Sequence, residues 1–308
     1  MTELWVEKWR PKSFDDYVWR DAQQRKQFQR MINEGSLPHL LLSGSAGVGK
    51  TSIAKVLLRE LGVQAGDILE INASVENGID VVRNKITNFA STLGFGDYRY
   101  ILLDEFDYLT PNAQAGLRNL METYSNVARF ILTCNYPQKI IPAIKSRCQA
   151  YHFDSLNVDE FTIRLATVLT GEGVSFDIDT LDSYVRASYP DLRKSINLVQ
   201  QHSVEGKLMA PSEASEGTSD YMLAAIELFK SGKMTEARKL IIASARPEEY
   251  TDMYRFMYQN LNLWTDDEMK QKKLLLIIAK GLRNHSLVAD PEINIAACLV
   301  ELEMEIDG

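Results

Sequence analysis

The chain has 308 residues, 45% of them apolar and 25% charged, the composition of a globular protein long enough for two or three domains. Acidic residues outnumber basic ones, 42 to 34, which excludes a uniformly basic coat for nucleic acid. The balance is uneven: residues 1–150 hold 18 basic and 16 acidic side chains and the remainder 16 and 26, so a polyanion is expected to face the first half.

From Leu37 to about Phe153, short apolar runs alternate with helical stretches. Strands are predicted at His39–Leu42, Ile68–Ile71, Tyr100–Leu103, Phe130–Thr133 and Ala150–Phe153, and helices at Thr51–Leu61, Ile79–Thr92 and Asn112–Tyr124. Nearly continuous apolar strands separated by helices predict an α/β domain, a buried parallel sheet with helices on both faces. Val158–Thr170, Ile178–Ser188 and Asp191–Gln201 read as three helices of a small separate unit without strands. Glu205–Ser219 has linker composition, and helices follow near Asp220–Ser231, Thr235–Ala245, Pro247–Leu261, Asp266–Asn284 and Pro291–Glu305. The expected division is therefore 1–153, 154–206 and 207–308. Leu274–Ala279 is apolar around the whole helix, which suits an oligomer interface or a bundle core.

Cys134, Cys148 and Cys298 are too few and too scattered for a disulfide framework or a zinc site, so a reducing cytoplasm is expected. No uninterrupted apolar run exceeds six residues, against about 20 for a membrane span. Charge from residue 3 onward argues against a signal peptide.

Gly44-Ser45-Ala46-Gly47-Val48-Gly49-Lys50-Thr51 fits a phosphate-binding loop, between an apolar strand and a helix as that motif requires. Its backbone N–H groups and the helix N-terminus would cradle the phosphates of ATP, with Ser52 next in the helix. Lys50 would reach the β- and γ-phosphates, and Thr51 would coordinate Mg²⁺. Tyr100-Ile-Leu-Leu-Asp104-Glu105-Phe-Asp107 is an apolar strand ending in acids. Asp104 would hold the Mg²⁺ and Glu105 polarise a water, as base or as orienter. Asn135, ending the next strand, is placed to hydrogen-bond that water or the γ-phosphate, although an Asn there is most often a turn former. Arg147 and Arg193 read by themselves as solvated surface charges.

The phosphate loop, Asp104-Glu105, Thr133-Cys-Asn135, Ser146-Arg147-Cys148 and Pro190-Asp-Leu-Arg193 occur in the order and approximate spacing of the AAA+ clamp-loader ATPases of DNA replication. Trp5-Val-Glu7-Lys8-Trp9-Arg10-Pro11 resembles the family's segment near the adenine, so Glu7, Trp9, Arg10 and Pro11 join the ATP-binding candidates. The likeness is dense over residues 5–200. It is greatest to the ATPase subunit of T-even-type bacteriophage clamp loaders, and next to the archaeal and eukaryotic replication factor C small subunits. It implies an AAA+ P-loop domain, a small helical lid and a C-terminal helical collar. It implies an ATP hydrolase that opens a sliding clamp and places it on primer–template DNA, working beside several copies of itself and a different subunit. Arg147 would then reach a neighbouring subunit's ATP, and Arg193 would come from the lid. DNA would be held without sequence preference at helix N-termini, by Gly78, Ile79, Thr110 and Asn112, with Arg83 and Arg118 nearby; internal salt bridges are the alternative for the two arginines. The clamp would meet Ile86, Phe89, Leu93 and Phe95, of which the first three recur at helical spacing and also suit a core stripe. Alternatives are another AAA+ DNA-associated motor, a helicase loader or branch-migration machine, and a non-hydrolysing scaffold subunit. The intact Lys50, Thr51, Asp104, Glu105, Arg147 and Arg193 argue against the scaffold.

Overall fold

A computed structural model describes residues 3–76, 78–153, 155–210 and 221–307. The chain forms two compact units, Met1–Arg164 with Pro190–Ile196 and Leu165–Tyr189 with Asn197–Gly308. The helices expected as a separate lid are thus shared between the two.

The first unit is built on five parallel strands, β1 (Leu40–Ser43), β2 (Ile68–Asn72), β3 (Arg99–Asp104), β4 (Ala128–Cys134) and β5 (Gln149–His152), side by side in the order β2-β3-β4-β1-β5. The expected strands are all present, shifted by one or two residues. β1 is an interior strand and buried throughout, because it pairs on both sides, Leu40 with Ile131 and Gln149, Ser43 with Cys134 and His152. Helices α3 (Lys50–Glu60), α4 (Ile79–Ser91) and α5 (Pro111–Thr123) make the crossovers. One sheet face carries Leu41, Ile71, Ile101, Leu103, Phe130 and Leu132, packed with Ile86, Leu117 and Met121 of the helices. Strand alternation sends Leu40 and Leu42 to the opposite face, where they are equally buried. Burying each such side chain contributes about 1.5–3 kcal/mol.

Helix α2 (Ala22–Asn33) had no apolar periodicity to announce it. Its sequence is polar, and only Gln24, Phe28 and Met31 are buried. The Asp21 carboxylate caps it, accepting the Gln24 N–H at 2.7 Å. Phe28 carries the packing: its ring lies 4.5 Å from Tyr151, 5.5 Å from Trp19 and 6.1 Å from Phe153.

In the second unit, the helix Ile178–Ser188 bonds to the C-terminal helices through Ser183 to Glu227 and Arg186 to Asn260. The stretch expected to be linker begins instead as a small hairpin, Ser203–Val204 paired with Lys207–Leu208. Glu205 and Gly206 both take positive φ, 51° and 76°, as a two-residue hairpin turn demands. Residues 211–219 of that stretch, and Asp220 after it, lie outside the described residues. In the helix Glu268–His285 only Leu274, Ile278 and Gly281 are buried, and Leu275 and Leu276 are exposed. All-round burial of Leu274–Ala279 is therefore not met within the single chain.

Phe28→Ala should cost about 3–5 kcal/mol of stability, as a large aromatic cavity does. Urea unfolding followed by circular dichroism measures it; a loss under 1 kcal/mol would mean that α2 is not held by this cluster.

Candidate active site

The phosphate loop leaves β1 at Ser43 and enters α3 at Lys50. Gly49, the N-cap of α3, has φ +90°, and Gly47 has φ +71° with the Asp191 carboxylate standing where a Cβ would project. Side chains are excluded at both points, which keeps the backbone N–H groups accessible. Ser45 Oγ is buried and has no hydrogen-bond partner among the described residues. A loop with spare donors at a helix N-terminus fits an anion.

Lys50 is only 8% exposed. Its ammonium donates to the carbonyls of Gly44 at 3.0 Å and Ser45 at 2.7 Å and to Asn135 Oδ1 at 2.8 Å. Desolvation pulls its pKa below the ordinary lysine value, opposed by the charges of Asp104 and Asp107 and aided by Arg193. Asn135 is therefore in direct contact with the loop lysine, more than the turn role its position alone suggested.

Thr51 Oγ1 donates to Asp104 Oδ1 at 2.7 Å, so the two groups assigned to the metal stand side by side. The Thr133 hydroxyl donates to the same oxygen and accepts the Glu105 N–H at 3.1 Å. Glu105 takes the left-handed conformation, φ 54° and ψ 42°. For a residue with a Cβ this costs about 1–2 kcal/mol, and it breaks β3 sharply so that Asp104 and Glu105 diverge. Asp107 is buried and accepts the N–H groups of Asn135 at 3.3 Å and Tyr136 at 3.1 Å, fixing the loop that carries Asn135. Asp107 and Thr133 had no assigned role; the signal was a third acid so close behind Asp104-Glu105.

An open cleft of about 400 Å³ adjoins these groups, lined by Arg10, Thr51, Ser52, Asn72, Asp104 and Arg193. Beside it Trp9, Pro11, Tyr17, Val48, Leu192 and Ile196 line an apolar recess of the kind that accepts a flat base. Burial raises the Tyr17 pKa, and its hydroxyl donates to the Val48 carbonyl at 3.3 Å. Glu7 pairs with Arg10 at 2.8 Å. Among the described residues no three His, Cys, Asp or Glu side chains gather into a metal cage.

Arg147 stands apart from this cluster. Gln149, two residues on, is level with Leu40 at the start of β1, whereas the phosphate loop follows Ser43. Three strand residues separate those levels by about 10 Å, and Arg147 lies further back still. Its guanidinium donates to Ala143 O at 2.6 Å and pairs with Glu122.

Thr110 caps α5, accepting the Ala113 N–H at 3.3 Å, with Pro111 in the first turn and Asn112 exposed. Gly78 is the N-cap of α4, and the Ile79 side chain lies outside the described residues. Arg83 is exposed, Arg118 hydrogen-bonds Asn119 Oδ1 at 3.0 Å, and neither forms an ion pair among the described residues. Of the apolar set, Ile86 is corrected to a core residue: it is wholly buried against the sheet, where it can reach no partner. Phe89 packs against the same core beneath the Arg99 guanidinium. Leu93 and Phe95 are 98% and 75% exposed.

Among the described residues no helix is long and apolar enough to cross a membrane. Residues 40–155 match the ATPase family associated with various cellular activities. The replication factor C small subunit of Methanococcus vannielii is 38% identical over 78% of each chain. That of Methanococcus maripaludis is 32% identical over 99% of this chain and 93% of its own. The Holliday junction branch migration motor RuvB of Thermotoga maritima superposes with a TM-score of 0.54 at 19% identity, over 72% of this chain and 73% of that one, a likeness of fold alone. With its intact phosphate loop and acid pair, the chain is an ATPase of the replication factor C small-subunit family.

Proposed function

We propose that this chain is the ATP-hydrolysing subunit of a sliding-clamp loader, coupling ATP to opening a ring-shaped clamp and placing it on primer–template DNA. The observation that carries the catalytic part is the single cluster formed by Lys50, Thr51, Asp104, Glu105 and Asn135 at the carboxyl ends of β1, β3 and β4. The loop N–H groups hold the phosphates. Lys50 exchanges the carbonyls of Gly44 and Ser45 for phosphate oxygens, and Asn135 follows that exchange because it already holds the ammonium. Thr51 and Asp104 would hold Mg²⁺, which supplies charge neutralisation on the β- and γ-phosphates. Glu105 orients a water and offers a carboxylate for its proton. The water oxygen bonds to the γ-phosphorus while the bond to the bridging oxygen breaks, and ADP leaves. Arg10 and Arg193 bind phosphate charge from the cleft wall.

Arg147 lies beyond reach of its own phosphate loop, which supports a role on the ATP of an adjacent subunit. Residues 154–206 would serve as lid and 207–308 as collar, with the exposed Leu275, Leu276, Leu287 and Ile293 as collar contacts between several copies and a different subunit. Primer–template DNA would be gripped by its phosphates at the N-termini of α4 and α5, near Gly78, Ile79, Thr110 and Asn112, with Arg83 and Arg118 beside them. Leu93 and Phe95 would enter an apolar recess of the clamp. The likeness to T-even-type bacteriophage subunits belongs to the same proposal, with the host cytoplasm as its setting.

Glu105→Gln should keep ATP and Mg²⁺ binding and lower single-turnover hydrolysis about 10²–10⁴-fold; a near-wild-type rate would refute its role. Phe95→Ala should weaken clamp binding by about 1–3 kcal/mol, the range of a moderate hot spot, with ATP binding unchanged; titration of labelled clamp measures it. Arg147→Ala should bind ATP but lose most turnover, an arginine finger being worth about 10³–10⁵. Mixing Arg147→Ala with Lys50→Ala subunits in one complex should restore part of the ATPase that neither shows alone. If mixed complexes form and stay inactive, Arg147 does not act in trans.

A further inference from the structure

Leu93 and Phe95 stand on a short connection between the end of α4 and the start of β3, and two exposed apolar side chains on a free loop would ordinarily collapse or wander. Here the connection is tied from inside by a buried acid and a buried base. Asp67, 1% exposed, precedes β2; Arg99, 7% exposed, opens β3. The Asp67 carboxylate accepts the Phe95 N–H at 2.9 Å and the Gly96 N–H at 2.9 Å on the same oxygen. Its other oxygen lies 3.6 Å from Arg99 Nε, an ion pair beyond hydrogen-bond length. The guanidinium turns the opposite way. It donates to the Phe89 carbonyl and the Thr92 hydroxyl, more weakly to the carbonyls of Leu93 and Gly66 at 3.4 Å, and lies 4.2 Å over the Phe89 ring. It thereby joins the Thr92 N–H and hydroxyl on the Phe89 carbonyl, at the end of the helix that favours a cation.

Glycines make room for this arrangement. A Cβ on Gly94 would come 2.9 Å from Asp67 Oδ1, and one on Gly66 would come 2.8 Å from the Phe95 ring. The ring edge rests on the Gly66 backbone and the rest of it faces solvent. Charged groups buried this deeply are costly unless they are engaged, and here Asp67 engages the loop N–H groups of Phe95 and Gly96 while Arg99 engages the end of α4, Thr92, Leu93 and Gly66.

We propose that Asp67 and Arg99 are positioning residues for clamp recognition: the pair holds the Leu93–Asp97 loop in its binding form before any partner arrives, so that Phe95 docks without first ordering its backbone. This rests on the reading of Leu93 and Phe95 as the clamp contact. Preorganisation saves the ordering cost that a flexible binding loop incurs on association.

The test uses the assembled ATP-bound loader for binding and the isolated full chain for loop order. Asp67→Asn keeps the volume but removes the charge and one acceptor oxygen. It should speed amide hydrogen exchange at Phe95 and Gly96 at least tenfold and weaken binding of fluorescent clamp about tenfold. In a Phe95→Ala background the same change should weaken clamp binding less than twofold, because the loop then has no ring to present; a general structural defect would add in full. Gly94→Ala, which leaves both charges in place but pushes the loop off Asp67, should reproduce the loss of clamp affinity. ATP affinity should be unchanged throughout. Faster exchange with unchanged clamp affinity, or an Asp67→Asn loss equally large without Phe95, would overturn the positioning role and leave the docking reading standing. If Phe95→Ala and Leu93→Ala both leave clamp affinity intact, the docking reading itself fails and the proposal with it, and the exchange data then describe only how the loop is held.

Discussion

The buried ammonium of Lys50 is the constraint from which the active site is organised. A cation this far from water needs full compensation, and three oxygens supply it, two from its own loop and one from Asn135. The loop carbonyls are neutral, so a phosphate that offers negative charge at the same place is the stronger partner. On the proposed mechanism, exchange of partners would free the loop carbonyls while Asn135 follows the ammonium. Asp107 holds the backbone on either side of that event, since its two oxygens take the N–H groups of Asn135 and Tyr136. Occupancy of the phosphate loop would thus be felt at the end of β4 through hydrogen bonds already in place.

The remaining catalytic groups are coupled in the same short-range way. Thr133 lies one residue before Cys134, the end of β4, and ties Asp104 to the Glu105 backbone. The left-handed turn at Glu105 stores strain where the apolar strand must stop and present two acids in different directions. Parallel pairing aligns these strand ends: Ser43 is level with Cys134, and Asn72 with Asp104. One register places the lysine, the acid pair and the asparagine together without any long side chain having to bridge a gap.

Strands β1, β3 and β4 were legible because they are apolar enough to be buried on both faces, and the phosphate loop was legible because its glycines answer a backbone need. What escaped notice did so for physical reasons. Helix α2 is almost wholly polar, with Phe28 and Met31 as its buried apolar residues, so its periodicity is faint. The hairpin at Ser203–Leu208 is two residues a side, too short to show alternation, and only Glu205-Gly206 hints at it. Asp107 and Thr133 act through backbone partners brought together by the sheet, which no spacing along the chain reveals. Ile86, Phe89 and Leu93 share one helical repeat, yet the first is core, the second half-buried and the third fully exposed. The helix ends at Ser91, so the repeat stops describing a single face just where Leu93 begins to matter.

The sheet also has two ends with different work. Its carboxyl end holds Lys50, Thr51, Asp104, Glu105 and Asn135, the groups assigned to the chain's own nucleotide. Asp67, Arg99 and Arg147 all lie at or just before the amino ends of β2, β3 and β5, and with them the loop that presents Leu93 and Phe95. β3 joins the two ends directly. It is six residues long, about 20 Å of strand, with Arg99 locked over Phe89 at one end and Asp104 locked to Thr51 and Thr133 at the other. Its interior residues Tyr100–Leu103 are buried between β2 and β4. A buried strand anchored by charge at both ends transmits displacement rather than absorbing it, since close-packed neighbours leave no room for local slack. The same rigidity that fixes the acid pair against the phosphate loop therefore fixes the apolar loop at the far edge.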